Sequence, residues 1–530
     1  MFVCAKQNER NLGMADSRTS NVVKNSSAGL LNKLIHIVVQ FVMRTAFIHI
    51  LGNEYTGISG LFTDILNVLS LMELGLDSSM VYALFKPIAQ KDSRRITALM
   101  GFYRKAFTII GITVLAAGVL CTPFLGHIVK GVPNIKEDIR GIFLMYVATS
   151  SFSYFLIYKT VLLSAHQKSR VIAKWRMIVY VAESVIEILL LLLFRKYYAY
   201  LIVHFLATVV RNLILTRIVN RTYPEYVKKT DNALTKQERN KLFRDIACLT
   251  VYSTAGVVIY STDSMFISAF IGTVEVAIIG NYNLIINSTR NIVQQIVNAA
   301  KPSIGNLAAT SNTEKQDRVF HRINFIAFLV CCFSCTCLFT LLNPFVGNIW
   351  LNKSYQISMT VIAVLMVNLY IAIMVYPVES FRTANGLFTQ GWARPAIMAV
   401  ITIALDYFMG KEWGIIGIVL ATTISRLSTQ AWFDPYLVFR LVFKKSVKRY
   451  YLTYISYFCI TAFCCAAAYF LGSVLTVGNP IVNFLIKAIV SVTIPSIVVI
   501  LLYRKTDDFA YLRNMFLQTY HKLFKHHQKS

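Results

Sequence analysis

The sequence predicts an all-α integral membrane protein with about 14 transmembrane helices. Three observations lead there. Of the 530 residues, 56% are hydrophobic and only 15% charged, with a mean hydropathy of +0.56; a soluble domain carries about 25% charged residues. Apolar runs of roughly the 20 residues that cross a bilayer recur along the whole chain. A pattern in the first two runs also returns about 220 positions later. Phe47-Ile48, Gly52, Gly60 and Phe62 are echoed by Phe266-Ile267, Gly272, Gly280 and Tyr282. Paired glycines at the same place in a helix–turn–helix predict a duplicated bundle. Secondary transporters commonly have this plan, with the substrate site between the repeats.

The runs fall near 30–51, 57–80, 106–129, 141–163, 177–194, 199–218, 246–271, 277–300, 323–349, 357–380, 395–410, 414–433, 450–474 and 480–503. They predict a cytoplasmic tail (1–29), an N-terminal six-helix bundle (30–218), a basic cytoplasmic linker (219–245) and a C-terminal six-helix bundle (246–440). Two added helices (441–505) and a basic cytoplasmic tail (506–530) follow. In that tail Leu512, Phe516, Tyr520, Leu523 and Phe524 recur at helical spacing, as in a helix lying on a membrane surface. The first residues lack a basic, apolar, small-residue signal peptide, and Met14 is an alternative start.

A net charge of +28 first suggests nucleic acid, but its placement argues for topology. With the N-terminus inside, most of the 53 lysines and arginines fall in cytoplasmic loops and tails. The outside loops hold Lys130, Lys136, Arg140, Arg195, Lys196, Lys353 and Lys411. This positive-inside bias predicts a multi-pass protein with both termini in the cytoplasm and no nucleic-acid partner. Cys331, Cys332, Cys335, Cys337, Cys459, Cys464 and Cys465 lie in the ninth and thirteenth runs. Cys332 and Cys335 have redox or metal spacing but no nearby His, so they read as small apolar side chains; no metal and no cofactor is expected.

Ionisable residues inside spans default to functional candidates. Arg44 in the first run and Asp64 in the second lie at matching depth, either as a pair or with Arg44 facing an aqueous cavity. Glu73-Leu74-Gly75-Leu76-Asp77 predicts a break or hinge near the cytoplasmic face. Pro123 predicts a kink in the third run. Glu183 and Glu187 share a face of the fifth helix. The sixth runs antiparallel and brings Arg211 close to the depth of Glu183. A buried Glu183–Arg211 pair is therefore expected, with a proton-carrying carboxylate pair as the alternative.

The seventh run has a polar interruption at Ser261-Thr262-Asp263-Ser264. The eighth is the most polar, with Asn281, Asn283, Asn287, Arg290, Gln294 and Asn298 among its residues. No lipid-facing helix would carry that set, so much of it must face a bundle interior or water. Asp263 is the obvious structural partner for Arg290. Pro344 and Pro377 sit in the ninth and tenth runs, Asp406 near the outer end of the eleventh, and Arg426 at mid-depth in the twelfth.

Several stretches resemble the bacterial polysaccharide-transporter flippases. They are Ser17-Arg18-Thr19, Leu31-Asn32-Lys33, the run from Arg44-Thr45 through Phe47-Ile48, Leu51-Gly52, Glu54-Tyr55, Gly57 and Gly60-Leu61-Phe62, and Leu69-Ser70-Leu71 with Glu73-Leu74-Gly75. Further along they are Ser261-Thr262-Asp263, Asn281-Tyr282, Ser303-Ile304-Gly305-Asn306, Phe381-Arg382 through Gly386-Leu387-Phe388, Arg394-Pro395, Ser425-Arg426 and Asp434-Pro435-Tyr436. The likeness spans about residues 17–445.

The resemblance implies membership of the multidrug/oligosaccharidyl-lipid/polysaccharide exporter superfamily. It implies two pseudo-symmetric six-helix bundles packed as a V, here with two extra C-terminal helices. It also implies alternating access that moves polyprenyl-pyrophosphate-linked oligosaccharide, an O-antigen, capsule or exopolysaccharide repeat unit, from the cytoplasmic to the outer leaflet of the bacterial cytoplasmic (inner) membrane. The related lipid II flippase uses cavity arginines for the diphosphate, and by position Arg44 and Arg290 would fit. One stretch departs from the pattern: Ala396-Ile397-Met398 stands where such proteins often carry an acid soon after the Arg-Pro.

The expected substrate-binding residues are therefore Arg44, Asn283, Asn287, Arg290, Gln294 and Arg426. The expected coupling or gating residues are Asp64, Glu73, Asp77, Glu183, Glu187, Arg211 and Asp263. Expected partners are the lipid-linked substrate, membrane lipids, protons or sodium ions for coupling, and polysaccharide assembly proteins. The alternative on the same fold is a multidrug or cation antiporter, which would need an acidic, aromatic-lined cavity. A membrane polysaccharide polymerase or ligase would need a sizeable outside loop, and the longest runs only about Lys130–Arg140. No nucleophile–base pair comes together, so no enzyme is expected.

The charge placement is checked by topology reporters fused at Thr230 and at the C-terminus, both expected to read cytoplasmic. An external C-terminus means that one span has been miscounted.

Overall fold

A computed structural model describes residues 33–70, 76–129, 135–166, 168–227, 234–310, 313–387, 390–391 and 393–514. The expectations for the N-terminal tail, for Glu73 and for the chain beyond 514 lie outside the described residues, as does the side chain of Asp77. All described regular structure is helical: α1 (Lys33–Leu51), α2 (Asn53–Leu69), α3 (Leu76–Ala89), α4 (Ser93–Cys121), α5 (Ile139–Ile157), α6 (Ser169–Phe194), α7 (Tyr197–Thr222), α8 (Lys236–Phe270), α9 (Thr273–Thr310), α10 (Thr313–Pro344), α11 (Met359–Ala384), α12 (Arg394–Ser428), α13 (Gln430–Val438), α14 (Lys448–Val474) and α15 (Pro480–Tyr503). Among the described residues, nine helices are long and apolar enough to cross a membrane: α1, α4, α5, α6, α7, α10, α11, α14 and α15. This is a multi-pass, all-α membrane protein.

Helix ends follow local chemistry. Asp92 caps α4 by accepting from the Arg95 N–H (3.0 Å), and Asp138 caps α5 by accepting from the Arg140 and Gly141 N–H groups (3.2 and 3.3 Å). Thr235 and Glu238 form a reciprocal capping box at the start of α8. The Thr235 N–H and hydroxyl, with Arg95 2.9 Å away, hold the Glu238 carboxyl below the usual carboxylate range. Pro123 ends α4 in a 3₁₀ turn at Thr122–Phe124. Pro344 closes α10, which continues as a π-helical turn, Phe345–Trp350.

The chain divides into two units, residues 1–125 with 133–250, and residues 126–132 with 251–530. The boundary falls inside α8. In the first unit α4 packs closely on α5, because a Cβ at Gly118 would lie 2.5 Å from Val147 Cγ1. Small residues let membrane helices approach in this way. The organising motif of the sequence is mostly packing: Phe47 and Tyr55 lie edge-on to Tyr197 (5.6 and 5.2 Å), and Phe62 lies edge-on to Phe143 (5.0 Å).

The second unit repeats the joint. The Gly52 N–H donates to Ile48 O and the Gly272 N–H to Ile267 O, both at 3.0 Å, so each glycine ends one helix just before the next begins. Gly52 has φ 96°, a conformation that glycine adopts without strain. Tyr282, the echo of Phe62, is fully buried, and its hydroxyl donates to Asn343 Oδ1 (2.5 Å).

The two added helices pack on α10. Phe328 stacks on Tyr457 (3.9 Å), and Thr340 bonds Ser491 (2.5 Å). Cys331, Cys332, Cys335, Cys464 and Cys465 are buried there as free thiols. Beyond α15 the chain folds back onto the same unit, with Arg322 over the Tyr511 ring (4.3 Å) and Leu512 buried.

The eleventh and twelfth expected spans are the two arms of α12, which reverses at Gly414 (φ 59°). The arms touch along their length: Thr402 Oγ1 donates to Ser425 Oγ (2.8 Å), and a Cβ at Gly417 would lie 2.0 Å from the Met409 carbonyl oxygen. Gly417→Ala is therefore expected to lower melting temperature and membrane abundance sharply. Gly101→Ala, where no heavy atom lies within 4 Å, should be neutral or stabilise by up to about 1 kcal/mol. Equal melting temperatures for the two variants would refute the tight reversal.

Candidate functional site

Among the described residues, polar groupings lie inside the helices of both units. In the first unit Glu183 and Glu187 are 5% and 4% exposed. Their partner is His204 of α7, whose Nδ1 lies 2.7 Å from Glu183 Oε1 and 3.6 Å from Glu187 Oε1. This corrects the expected Glu183–Arg211 pair. Arg211 Nη2 instead donates to Thr208 Oγ1 (3.2 Å), and Arg211 acts on Glu183 only through space. The cause is register. The tight α6–α7 turn at Arg195-Lys196 sets residue 204 level with residue 187, so one imidazole reaches both acids. Sequence reasoning missed His204, although counting back from the turn would have found it.

Aromatic rings lead from His204 toward the end of the unit at the α6–α7 turn. Tyr200 stacks on His204 (6.1 Å, 7°) and on Tyr197 (5.7 Å, 11°). The Tyr197 hydroxyl meets that of Tyr146 (2.9 Å), its N–H donates to Glu137 Oε1 (3.2 Å), and Tyr55 also donates to Glu137. Arg44 on α1 and Asp64 on α2 are both half-buried.

In the second unit α8 stays helical through Ser261–Ser264, so the interruption there is chemical and does not break the helix. Thr262 Oγ1 donates to Asp406 Oδ2 (3.4 Å), and Thr422 Oγ1 lies 3.3 Å from both carboxylate oxygens of Asp263. The reversal of α12 brings Asp406 and Thr422 to the same pair of α8 residues. Asp406 is fully buried, and its Oδ1 has no hydrogen-bond partner among the described residues. The sequence reading had left Asp406 out of the site.

The third grouping is a stripe on α9. Asn283, Asn287, Arg290 and Gln294 recur at helical spacing on one face, and all four are half-buried. On the neighbouring strip Tyr282, Ile286 and Val293 are buried. The polar strip is thus less buried than the strip beside it. Arg426 lies deeper, 5% exposed, with Nη1 reaching Asn368 O at 3.5 Å.

A fourth cluster is scaffolding. Asp434 lies 2.8 Å from Arg382 Nη1 and 3.3 Å from Arg394 Nε, and all three are buried. Arg382 also donates to Leu387 O (3.0 Å) and Gln390 O (2.8 Å). The Phe-Arg, Arg-Pro and Asp-Pro-Tyr motifs thus clamp the connection between α11 and α12.

This all-α architecture, with polar groups set deep in long apolar helices, defines a polytopic membrane protein. The chain belongs to the polysaccharide biosynthesis protein family, which matches residues 22–305. The lipid II flippase MurJ in an inward closed conformation shares the fold at a TM-score of 0.63 and 14% identity, covering 90% of this chain and 99% of that one. An inward-facing multidrug resistance MATE family transporter of the MOP superfamily aligns at 0.54 and 15% identity, covering 76% and 93%. A variant of the Vibrio cholerae MATE transporter VcmN aligns at 0.55 and 14%, covering 80% and 98%. No curated protein sequence matches the chain.

Removing one member of a buried ion group leaves an uncompensated charge, at a cost of about 3–5 kcal/mol. Asp434→Ala is expected to lower stability by about that much, and Arg382→Ala comparably. The double variant Arg382→Met/Asp434→Leu should recover part of the loss in a detergent melting assay. No recovery would show that the arginine's carbonyl contacts matter more than the ion pair.

Proposed function

We propose that this protein is a flippase for polyprenyl-pyrophosphate-linked oligosaccharide, carrying a polysaccharide repeat unit outward across the bacterial cytoplasmic membrane with both of its termini in the cytoplasm. The observation that carries the proposal is the α9 stripe, which lies within the family-matched segment. It presents amides suited to sugar hydroxyls around Arg290, the one charged residue between Asn281 and Asn298. Arginine holds a phosphate bidentately and keeps its charge in a low-dielectric setting. Arg44, in the first unit, and Arg426, buried in the second, are further proposed substrate contacts. A cationic-drug antiporter would need acids on that stripe, where this chain has amides and an arginine. The MurJ fold likeness supports the flippase reading, and the role is transport, without catalysis.

The interior-negative membrane potential favours outward movement of an anion by about 2.3 kcal/mol per charge per 100 mV. Resetting the empty carrier is assigned to proton or sodium exchange at Asp263 and Asp406. Two carboxyls held by threonines in a dry site favour uptake of a cation or of a shared proton. Asp64 and Asp77 remain proposed gating residues on α2 and α3.

Complementation of a flippase-deficient strain, with membrane abundance measured alongside, tests the assignment. Arg290→Ala is expected to abolish polymer export at normal abundance, and Arg290→Lys to retain partial export because charge remains without the bidentate grip. Full export by Arg290→Ala at normal abundance would remove Arg290 from the site.

A further inference from the structure

We propose that Glu183, Glu187 and His204 form a binding site for one divalent transition-metal ion of the zinc class, inside the first unit and separate from the α9 stripe. The candidate ligand atoms, one from each side chain, all lie within 4.8 Å of one another. His204 Nδ1 is 2.7 Å from one carboxylate oxygen and 3.6 Å from the other. Ligands about 2.0–2.2 Å from a tetrahedral zinc ion lie roughly 3.3–3.6 Å apart, so small side-chain shifts admit an ion.

A second observation points to a ligand. Glu187 is 4% exposed and its Oε1, which faces His204, has no hydrogen-bond partner among the described residues. A buried carboxylate oxygen left in this way costs free energy unless something binds it. The His204 ring can carry one positive charge to the two acids, whereas a dication balances both and leaves the imidazole neutral as a ligand. Arg211 makes its hydrogen bond to Thr208 and acts on Glu183 only through space, so it does not occupy the ligand position between the two acids and His204.

The donor set decides the class of ion. Sodium, magnesium and calcium favour all-oxygen sites, while an imidazole nitrogen beside carboxylates suits zinc and cobalt. Three protein ligands leave a fourth position open, and the half-exposed face of His204 (38% of its side chain) offers an entry path. The stacked Tyr200 fixes the ring orientation.

The test uses the full-length protein purified in detergent and titrated with Co²⁺ as a spectroscopic stand-in for zinc. The expected result is one Co²⁺ equivalent with visible d–d bands and no near-ultraviolet thiolate charge-transfer band, which sets it apart from binding at the cysteines. Glu187→Gln and His204→Gln should each lose that equivalent while keeping a monodisperse elution profile; if either misfolds, Glu187→Asp should keep the site with weakened affinity. Absence of the d–d bands in wild type, a thiolate signature, or unchanged binding in Glu187→Gln or His204→Gln would overturn the proposal.

Discussion

A charge inside the bilayer core must meet another charge, a set of dipoles, water or a ligand, and the arrangement of these helices follows from that constraint. A lone Arg, Lys or Asp at the centre of a span costs roughly 2.5–3.5 kcal/mol on insertion scales. The acids here are accordingly met from neighbouring helices: Glu183 by His204, Asp263 by Thr422, Asp406 by Thr262, and Asp434 by two arginines. Each match ties helices together within a unit. The polar residues thereby set which helices lie side by side, a task that apolar surfaces in lipid do poorly because hydrocarbon solvates them equally well.

The α12 reversal shows how backbone geometry serves that matching. A connection built around one left-handed glycine keeps the two arms close enough for Thr402 and Ser425 to bond. Asp406 on one arm and Thr422 on the other then reach adjacent residues, Thr262 and Asp263, on a single turn of α8. A longer loop would let the arms slide and lose the register. In the first unit the tight α6–α7 turn does the same for Glu187 and His204.

The fold class was legible because hydropathy and charge asymmetry report the bilayer directly. The two-glycine echo was legible too, because a helix that must stop and restart within two residues favours glycine at the joint, as Gly52 and Gly272 show. Partner choice was harder to read. Depth along a span predicted Glu183 beside Arg211, but depth alone does not say which way a side chain leans: residue 208 is level with Glu183, His204 one turn before it takes the carboxylate, and Arg211 after it bonds Thr208. Asp406 sits near a span end, where a carboxylate ordinarily reaches water; in the folded chain it is fully buried and accepts from Thr262 of α8. The polar interruption of α8 was read by composition, yet intrahelical bonding survives there and its side chains find partners on α12.

These outcomes separate the residues that the sequence singles out into two kinds. Phe47, Tyr55, Phe62, Arg382, Arg394 and Asp434 pack or pair within one unit, and their chemistry holds helices in place. Asn283, Asn287 and Gln294 stand outside the family-like motifs and are half-buried along one face of α9. That division follows from the chemistry of the proposed cargo. A carrier of varied sugars on a constant lipid diphosphate needs a fixed scaffold, a cation for the diphosphate, and a replaceable set of amides for the sugar. On that logic a change of sugar would be accommodated along α9 with little effect on the clamp at Asp434, because the two lie on different elements.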